Sequence, residues 1–316
     1  MPISHSGIIF VWGVYVEEPD ILPFLLMTDM IDQLIEYCDL AFKNEQCLKN
    51  QVPQSNDCGA CLRKIHYGNI SNLNYDCKKM VYMYVCKNAY RYATEMCWIF
   101  YAIREWLYNQ REISICSIGC GPATELIAFE TLRSRITSLH NIKYTFEGFD
   151  INTIWNDIQK QLLLILGSND NASVSFHNEN VFAYYNNAGH YPNIIVLNYC
   201  LSDALRNDFE NFETFVDQII ELFLQRPNCC LLINDINLGS NNKEVRYYFN
   251  IIISKLQFFQ IKLDVKKMYF NDSIKKSYSY GQMWKSSKVV FDIPQHIERD
   301  YSPNTECHSA QLLIIK

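Results

Sequence analysis

Residues 114–129 read SICSIGCGPATELIAF: a short apolar run, then Gly119-Cys120-Gly121-Pro122, then a segment with helical spacing. The run predicts a buried strand, the glycines a tight turn, and the residues after Pro122 the opening of a helix. Small residues at such a turn let the backbone pass close to a bound group, and the free N–H groups of the helix start point towards it. Close packing of strand against helix also favours glycine, so the turn alone does not decide. About thirty residues on, a second apolar strand ends in Gly148-Phe149-Asp150, which sets a carboxylate at a matching strand end.

Outward from this unit the same texture repeats. ISICSIG, KYTFEGFD, ASVSFH, NIIVLNY and CCLLINDI are short apolar runs, separated by ATELIAFETLRSRI, NTIWNDIQKQLLLIL, NENVFAYY and FENFETFVDQIIELFLQ. Strand and helix in alternation predict βα units, a mostly parallel sheet with right-handed crossovers, and helices on both faces. A sixth helix, NNKEVRYYFNIIISKL, is followed by strand-like FFQIKLDVKKMYF, SSKVVFDI and SAQLLIIK. Ligands of such sheets bind beyond the carboxyl ends of the strands, where the strand order switches.

Residues 1–110 have a different character and are read as a mainly helical, Cys-rich domain ahead of an α/β domain over 111–316. The apolar run from Gly7 to Val16 lacks the charged start and cleavage signal of a leader peptide, so it predicts a buried strand. Apolar residues between Asp20 and Lys49 recur at three- and four-residue spacing, predicting one or two helices. Residues 50–76, rich in Asn, Ser and Gly, read as a long loop, and Cys77 to Asn109, without Pro or Gly, as a long buried helix.

The loop carries Cys58-Gly59-Ala60-Cys61, a Cys-x2-Cys pair able to turn two thiolates towards one ion, followed by Cys77 and Cys86. Cys58, Cys61, Cys77 and Cys86 are therefore the expected ligands of a structural zinc, with His66 and Cys47 competing for the fourth place. Free thiols in a loop and on a helix, or a redox pair, are the alternatives. Thirteen cysteines in 316 residues are an odd number and too sparse for a disulfide scaffold. With a formal charge of -6, 49% hydrophobic residues and only 11 Gly and 9 Pro, the chain excludes disorder, and its overall balance is not that of a general nucleic-acid binder. No stretch has the roughly 18 uninterrupted apolar residues of a membrane span, so no membrane partner and a cytoplasmic location are expected.

The glycine turn, the acidic end of the second strand and the order of elements after Ile113 resemble the class I S-adenosylmethionine-dependent methyltransferases over roughly Arg111 to Lys316. The resemblance implies a Rossmann-like, seven-stranded, mostly parallel sheet with an antiparallel end, and S-adenosyl-L-methionine as cofactor. It implies that Gly119, Cys120, Gly121 and Pro122 approach the methionine part, that Asp150 holds the ribose hydroxyls, and that Ile151, Asn152, Asn180 and Val181 surround the adenine. Asn198 and Tyr199 fall beside the transferred methyl, and Asp235, at the end of the fifth strand, faces the acceptor or caps a helix. Asp203, Asp235 and His177 are candidate bases. Ser117 stands where the family commonly has an acid, and Ala123 replaces its third glycine; Glu125 or the N-terminal region would then hold the amino group.

From Lys255 to Lys288 eight lysines stand against Asp264 and Asp272, a strip of +6 interleaved with aromatics, while the rest of the chain carries -12. It fits an anionic acceptor such as RNA, or the solvated face of amphipathic strands. The acceptor is left open among a small molecule, RNA and protein. Three functions are compatible with the sequence: a methyltransferase whose N-terminal module covers the cleft or selects substrate, a catalytically silent binding or assembly module of the same fold, and a transferase moving another group, as nicotianamine and polyamine synthases do.

Overall fold

The computed structural model describes residues 29–47, 58–67, 75–167, 169–208, 210–237, 245–271 and 278–316. The apolar run from Gly7 to Val16 lies outside them. In chain order the elements are α1 (Asp29–Asn44), α2 (Cys58–Tyr67), α3 (Lys78–Ala102), α4 (Arg104–Tyr108), β1 (Glu112–Ile118), α5 (Thr124–Arg135), β2 (Lys143–Phe149), α6 (Asn156–Leu166), β3 (Ala172–His177), α7 (Val181–Ala188), β4 (Ile194–Asn198), α8 (Cys200–Asn207), α9 (Phe212–Leu224), β5 (Cys230–Ile236), α10 (Val245–Phe258), β6 (Asp264–Tyr269), β7 (Gln282–Met283), α11 (Gln295–Tyr301) and β8 (Ser309–Ile315).

The strands form one sheet in the order β3-β2-β1-β4-β5-β8-β6-β7. β1 to β5 are parallel, and β8 runs antiparallel between β5 and β6. This is the α/β, Rossmann-like architecture expected, with a two-residue eighth strand added at one edge. Because successive side chains of a strand point to opposite faces, the unbroken apolar run of β4 feeds two cores. Ile194 and Val196 join the cluster containing α1, α3, α5 and α6, while Ile195 and Leu197 join the one beneath α9 and α10. On α9 the buried Val216, Ile219, Ile220 and Phe223 form a single stripe at helical spacing.

Three sequence expectations change. The Cys-x2-Cys segment is the first turn of a helix, because Leu62 and Ile65 give residues 58–67 an apolar side to place against the core. The long helix after Cys77 breaks at Ile103, whose backbone leaves helical geometry before α4. SSKVVFDI is not a strand. It makes one bridge, Lys288 to Glu306, and its backbone is spent elsewhere: Val290 N–H donates to Thr94 of α3 at 3.2 Å and Val289 N–H to Thr305 at 3.0 Å.

α3 is buried almost all round because it lies between α1 and α5 and reaches the sheet. Its Glu95, fully buried, accepts from Tyr199 Oη at 2.9 Å, Asn234 Nδ2 at 3.0 Å and the His308 N–H at 3.1 Å. A buried carboxylate is tolerable when its lone pairs are met in this way. Arg91, one turn earlier, lies 4.0 Å from Glu95 and stacks over the ring of Tyr92 at 4.5 Å. Among the described residues no helix is long and apolar enough to cross a membrane.

Candidate functional site

The turn after β1 is shaped by left-handed backbone. Gly119 has φ +65°, Gly121 φ +48° and Ala123 φ +55°. The N–H groups of Gly119 and Cys120 both donate to Phe149 O, at 2.8 and 3.0 Å, which binds the turn to the end of β2. Asp150, one residue further, accepts from the Gly121 N–H at 3.0 Å and the Asn152 N–H at 2.8 Å. Its carboxyl is pushed up to about 6, chiefly by burial and against the pull of these two donors. Gln159 of α6 fixes the turn from the other side, donating to Gly121 O at 2.9 Å.

These groups open on a cavity of about 650 Å³ at the carboxyl ends of β1, β2 and β4. Gly119, Cys120, Gly121, Pro122, Asp150, Ile151, Asn152, Asn180, Val181, Asn198 and Tyr199 all line it. Ile151 projects at the rim with 81% exposure. Asn180 caps α7, accepting from the N–H groups of Phe182 and Ala183 at 3.0 and 3.1 Å. Asn152 donates to Tyr75 O at 2.8 Å and so ties the segment before α3 to the loop after β2.

Asn198 is held from several directions. Its amide donates to Thr124 Oγ1 at 3.1 Å and to Glu125 Oε2 at 3.5 Å, and accepts from Asn234 at 2.9 Å. Tyr199 takes a left-handed φ of +57°, and its ring packs on Tyr92 with centroids 4.2 Å apart. Asp235 does not reach the cavity. It is fully buried, and it accepts from the N–H groups of Ser202 in the first turn of α8 and of Ile236, at 3.0 and 2.7 Å. It caps a helix start rather than facing an acceptor. His177, the third candidate base, stacks on Phe149 at 4.8 Å and is likewise absent from the lining.

Ser117, which stands in place of an acid, receives one from the next helix: its hydroxyl donates to Glu125 Oε1 in a short hydrogen bond. Burial pushes the Glu125 carboxyl up to about 7, with Ser117 and Asn198 acting in the opposite sense. A carboxyl whose proton affinity rises on folding adds stability below its ordinary value near 4.5, and this is lost as pH climbs through about 7. Glu125→Gln keeps the hydrogen-bonding shape without the titration. The wild type should lose up to about 3 kcal/mol relative to this variant between pH 5 and pH 8, read by urea unfolding. Parallel curves at the two pH values would exclude the effect.

The structure does not support the zinc expectation: among the described residues no group of three or more His, Cys, Asp or Glu side chains is placed to hold a metal ion, and the side chain of His66 lies outside them. Cys77 precedes α3 and Cys86 lies nine residues along it, roughly 13 Å of helix, whereas sulfurs sharing a zinc each sit about 2.3 Å from it. Cys86 is buried against α1 and donates to Ile35 O at 3.8 Å, its thiol held neutral by burial. Cys58 is pushed up to about 11 by burial, with Cys77, Cys47 and Cys61 adding to the effect.

Among the described residues, no lysine of the strip lines the cavity. Lys255 pairs with Asp217, Lys266 with Asp264 at 3.7 Å, and Lys267 donates to Asn250 at 2.7 Å, all towards the opposite edge of the sheet. Residues 272–277, with Lys275 and Lys276, lie outside the described residues. The lining contains groups that sequence reading assigned to packing alone or passed over: Tyr75, Tyr84, Tyr92, Trp155, Arg206 and Phe215. The available signal was the choice of Tyr rather than Phe or Leu at helical spacing on α3, since a buried ring with a polar tip favours a wet boundary.

No protein-family model matches the chain, and no curated protein matches it. Among solved structures, the plantazolicin methyltransferase BpumL, in complex with S-adenosylhomocysteine, is similar with a TM-score of 0.41 at 13% identity, over 91% of this chain and 99% of that one. A Listeria monocytogenes protein described as a class I S-adenosylmethionine-dependent methyltransferase gives 0.45 at 10% identity, over 92% and 88%. One from Klebsiella pneumoniae, described as an O-methyltransferase, gives 0.38 at 9%, over 90% and 98%. With TM-scores below 0.5, these likenesses do not bear on what the cleft binds, and the architecture stands on its strand order.

Proposed function

We propose that the chain is an S-adenosylmethionine-dependent methyltransferase, with its N-terminal helical part, residues 1–110, covering the cofactor cleft. The observation that carries this is the joining of the β1 turn, Asp150 and Asn198-Tyr199 around one cavity at the switch between β1 and β4. The residues fit the cofactor. A Cβ at Gly119 would meet Cys200 Sγ at 2.7 Å, so the loop is open only because glycine forms it. Asp150 presents a carboxylate at the second strand end for a diol, and Ile151 with Val181 offers apolar flanks to a purine. The fully buried carboxyl of Glu125, set against Ser117, orients Asn198, whose amide also donates to Thr124, and takes the place of the missing acid.

Bound there, the cofactor supplies an electrophilic methyl group. The protein's part is to hold it in line with the acceptor, to exclude water and to take up a proton. Tyr199, fixed by Glu95 and Tyr92, shapes the acceptor side. Calorimetric titration with S-adenosylmethionine and S-adenosylhomocysteine should give micromolar binding, about -8 kcal/mol, and labelled methyl transfer should follow with a competent acceptor. Absence of binding to both would refute the reading. Binding without transfer would favour the silent module, and a labelled product lacking the methyl group would favour transfer of another group.

A further inference from the structure

The charged residues of the cavity are strongly one-sided. Among the described residues its lining holds Asp150, Glu179, Asp203 and Asp208 against Arg206 alone, with no lysine and no histidine. Arg206 and Asp203 pair through Asp203 Oδ1, which leaves Oδ2 to other partners and the surplus negative charge of the lining on Asp150, Glu179 and Asp208; Arg206 also donates to Ile65 O of α2 and to Ser202 O, both at 3.2 Å. Glu179 and Asp208 are exposed and Asp150 belongs to the loop after β2, whereas Asp203 is a half-buried acid in the first turns of α8, after β4. The same lining holds a continuous row of rings: Trp155 to Tyr75 at 5.1 Å, Tyr75 to Tyr84 at 5.3 Å, Tyr84 to Tyr92 at 5.9 Å, and Tyr92 to Tyr199 at 4.2 Å. The charge of Asp203 is felt by Tyr75, Tyr84 and Tyr92, each of whose hydroxyls it helps to keep protonated.

Carboxylate and ring faces together attract cations and repel anions. A cavity of about 650 Å³ is the size of a small-molecule site. Resting on the methyltransferase reading, we propose that the acceptor is a small amine, entering as its ammonium form and seated by Asp203 against the rings of Tyr75, Tyr84 and Tyr92. The ammonium proton passes to the Asp203 carboxylate and later to water. The freed nitrogen lone pair forms the N–C bond to the methyl carbon, the S–C bond breaks, and sulfur keeps that electron pair as a thioether. The product is the methylated ammonium ion.

The test compares two probes of one shape and opposite charge on protein saturated with S-adenosylhomocysteine: tyramine, and 4-hydroxyphenylacetate. An oligouridylate of ten residues is the third probe. Tyramine is expected to bind at least tenfold more tightly than 4-hydroxyphenylacetate, with the oligouridylate weaker still. Asp203→Asn should lower tyramine affinity at least tenfold and leave S-adenosylhomocysteine affinity within twofold. Equal or tighter binding of the acid or the RNA overturns the proposal without any variant. So does unchanged tyramine binding in Asp203→Asn, or a loss of S-adenosylhomocysteine affinity in it, which would move Asp203 to the cofactor side. Failure of the wild type to take S-adenosylhomocysteine would appear before any probe is added, and would count against the methyltransferase reading instead.

Discussion

Replacing Asp150 with alanine is expected to lower S-adenosylhomocysteine affinity about 100-fold, roughly 3 kcal/mol by the usual weight of charge-assisted hydrogen bonds. Two effects combine. The carboxylate proposed to hold the ribose diol is lost, and the N–H groups of Gly121 and Asn152, now held at 3.0 and 2.8 Å, lose their acceptor. Asp150→Asn retains one acceptor oxygen and should fall in between. The wild type should also bind less well as pH drops below about 6, where the carboxyl gains its proton, and Asp150→Asn should lack this dependence. Titration calorimetry between pH 5 and 8 measures both. Unchanged affinity in the alanine variant would show that the end of β2 does not touch the ligand.

Gly119→Ala should abolish cofactor binding and destabilise the fold by roughly 3 kcal/mol. Part of this comes from a left-handed φ of +65°, which costs a residue with a Cβ about 1–2 kcal/mol. The rest comes from overpacking: the new methyl would lie 2.7 Å from Cys200 Sγ and 3.2 Å from Cys200 Cβ. Cys200 cannot retreat easily, because it opens α8 directly after Tyr199, itself left-handed. Removing the sulfur in Gly119→Ala/Cys200→Ala should return about 1 kcal/mol and leave the backbone cost. Thermal unfolding of the two variants separates the contributions, and a fully stable single variant would mean that the turn has another conformation.

The residues that could be read in advance are those whose meaning is local. A strand's burial on both faces, the glycine turn and the acid one residue after Phe149 are written within a few residues, and the structure brings them together around one cavity. Asp235 was left between acceptor and helix cap because its partner is the first turn of α8, over thirty residues away. The cysteine pair misled for a related reason: a three-residue spacing suits a metal knuckle and one turn of helix equally, and among the described residues no set of three or more ligands gathers around it. The tyrosines of α3 read as core, which they are by burial. That they also wall the cavity depends on where α3 sits against β1 and β4, and no periodicity within the helix records it.

Glu95 carries a consequence for how the chain is made. Its partners Asn234, His308 and Gln311 lie 139 to 216 residues further along, and β8, which separates β5 from β6, leaves the ribosome after both of them. Until then the buried acid of α3 has Tyr199 and Asn234 as donors but lacks the His308 N–H, and the helix lacks the surface that β8 brings. The nascent chain must therefore carry α3, the longest helix among the described residues, incompletely packed until β8 is made. Closure of the molecule is a late, single event dominated by distant pairings, the kind of topology that folds slowly and exposes apolar surface on the way. Deleting residues 308–316 would take two partners from Glu95 and so unsettle α3, more than 200 residues earlier in the chain.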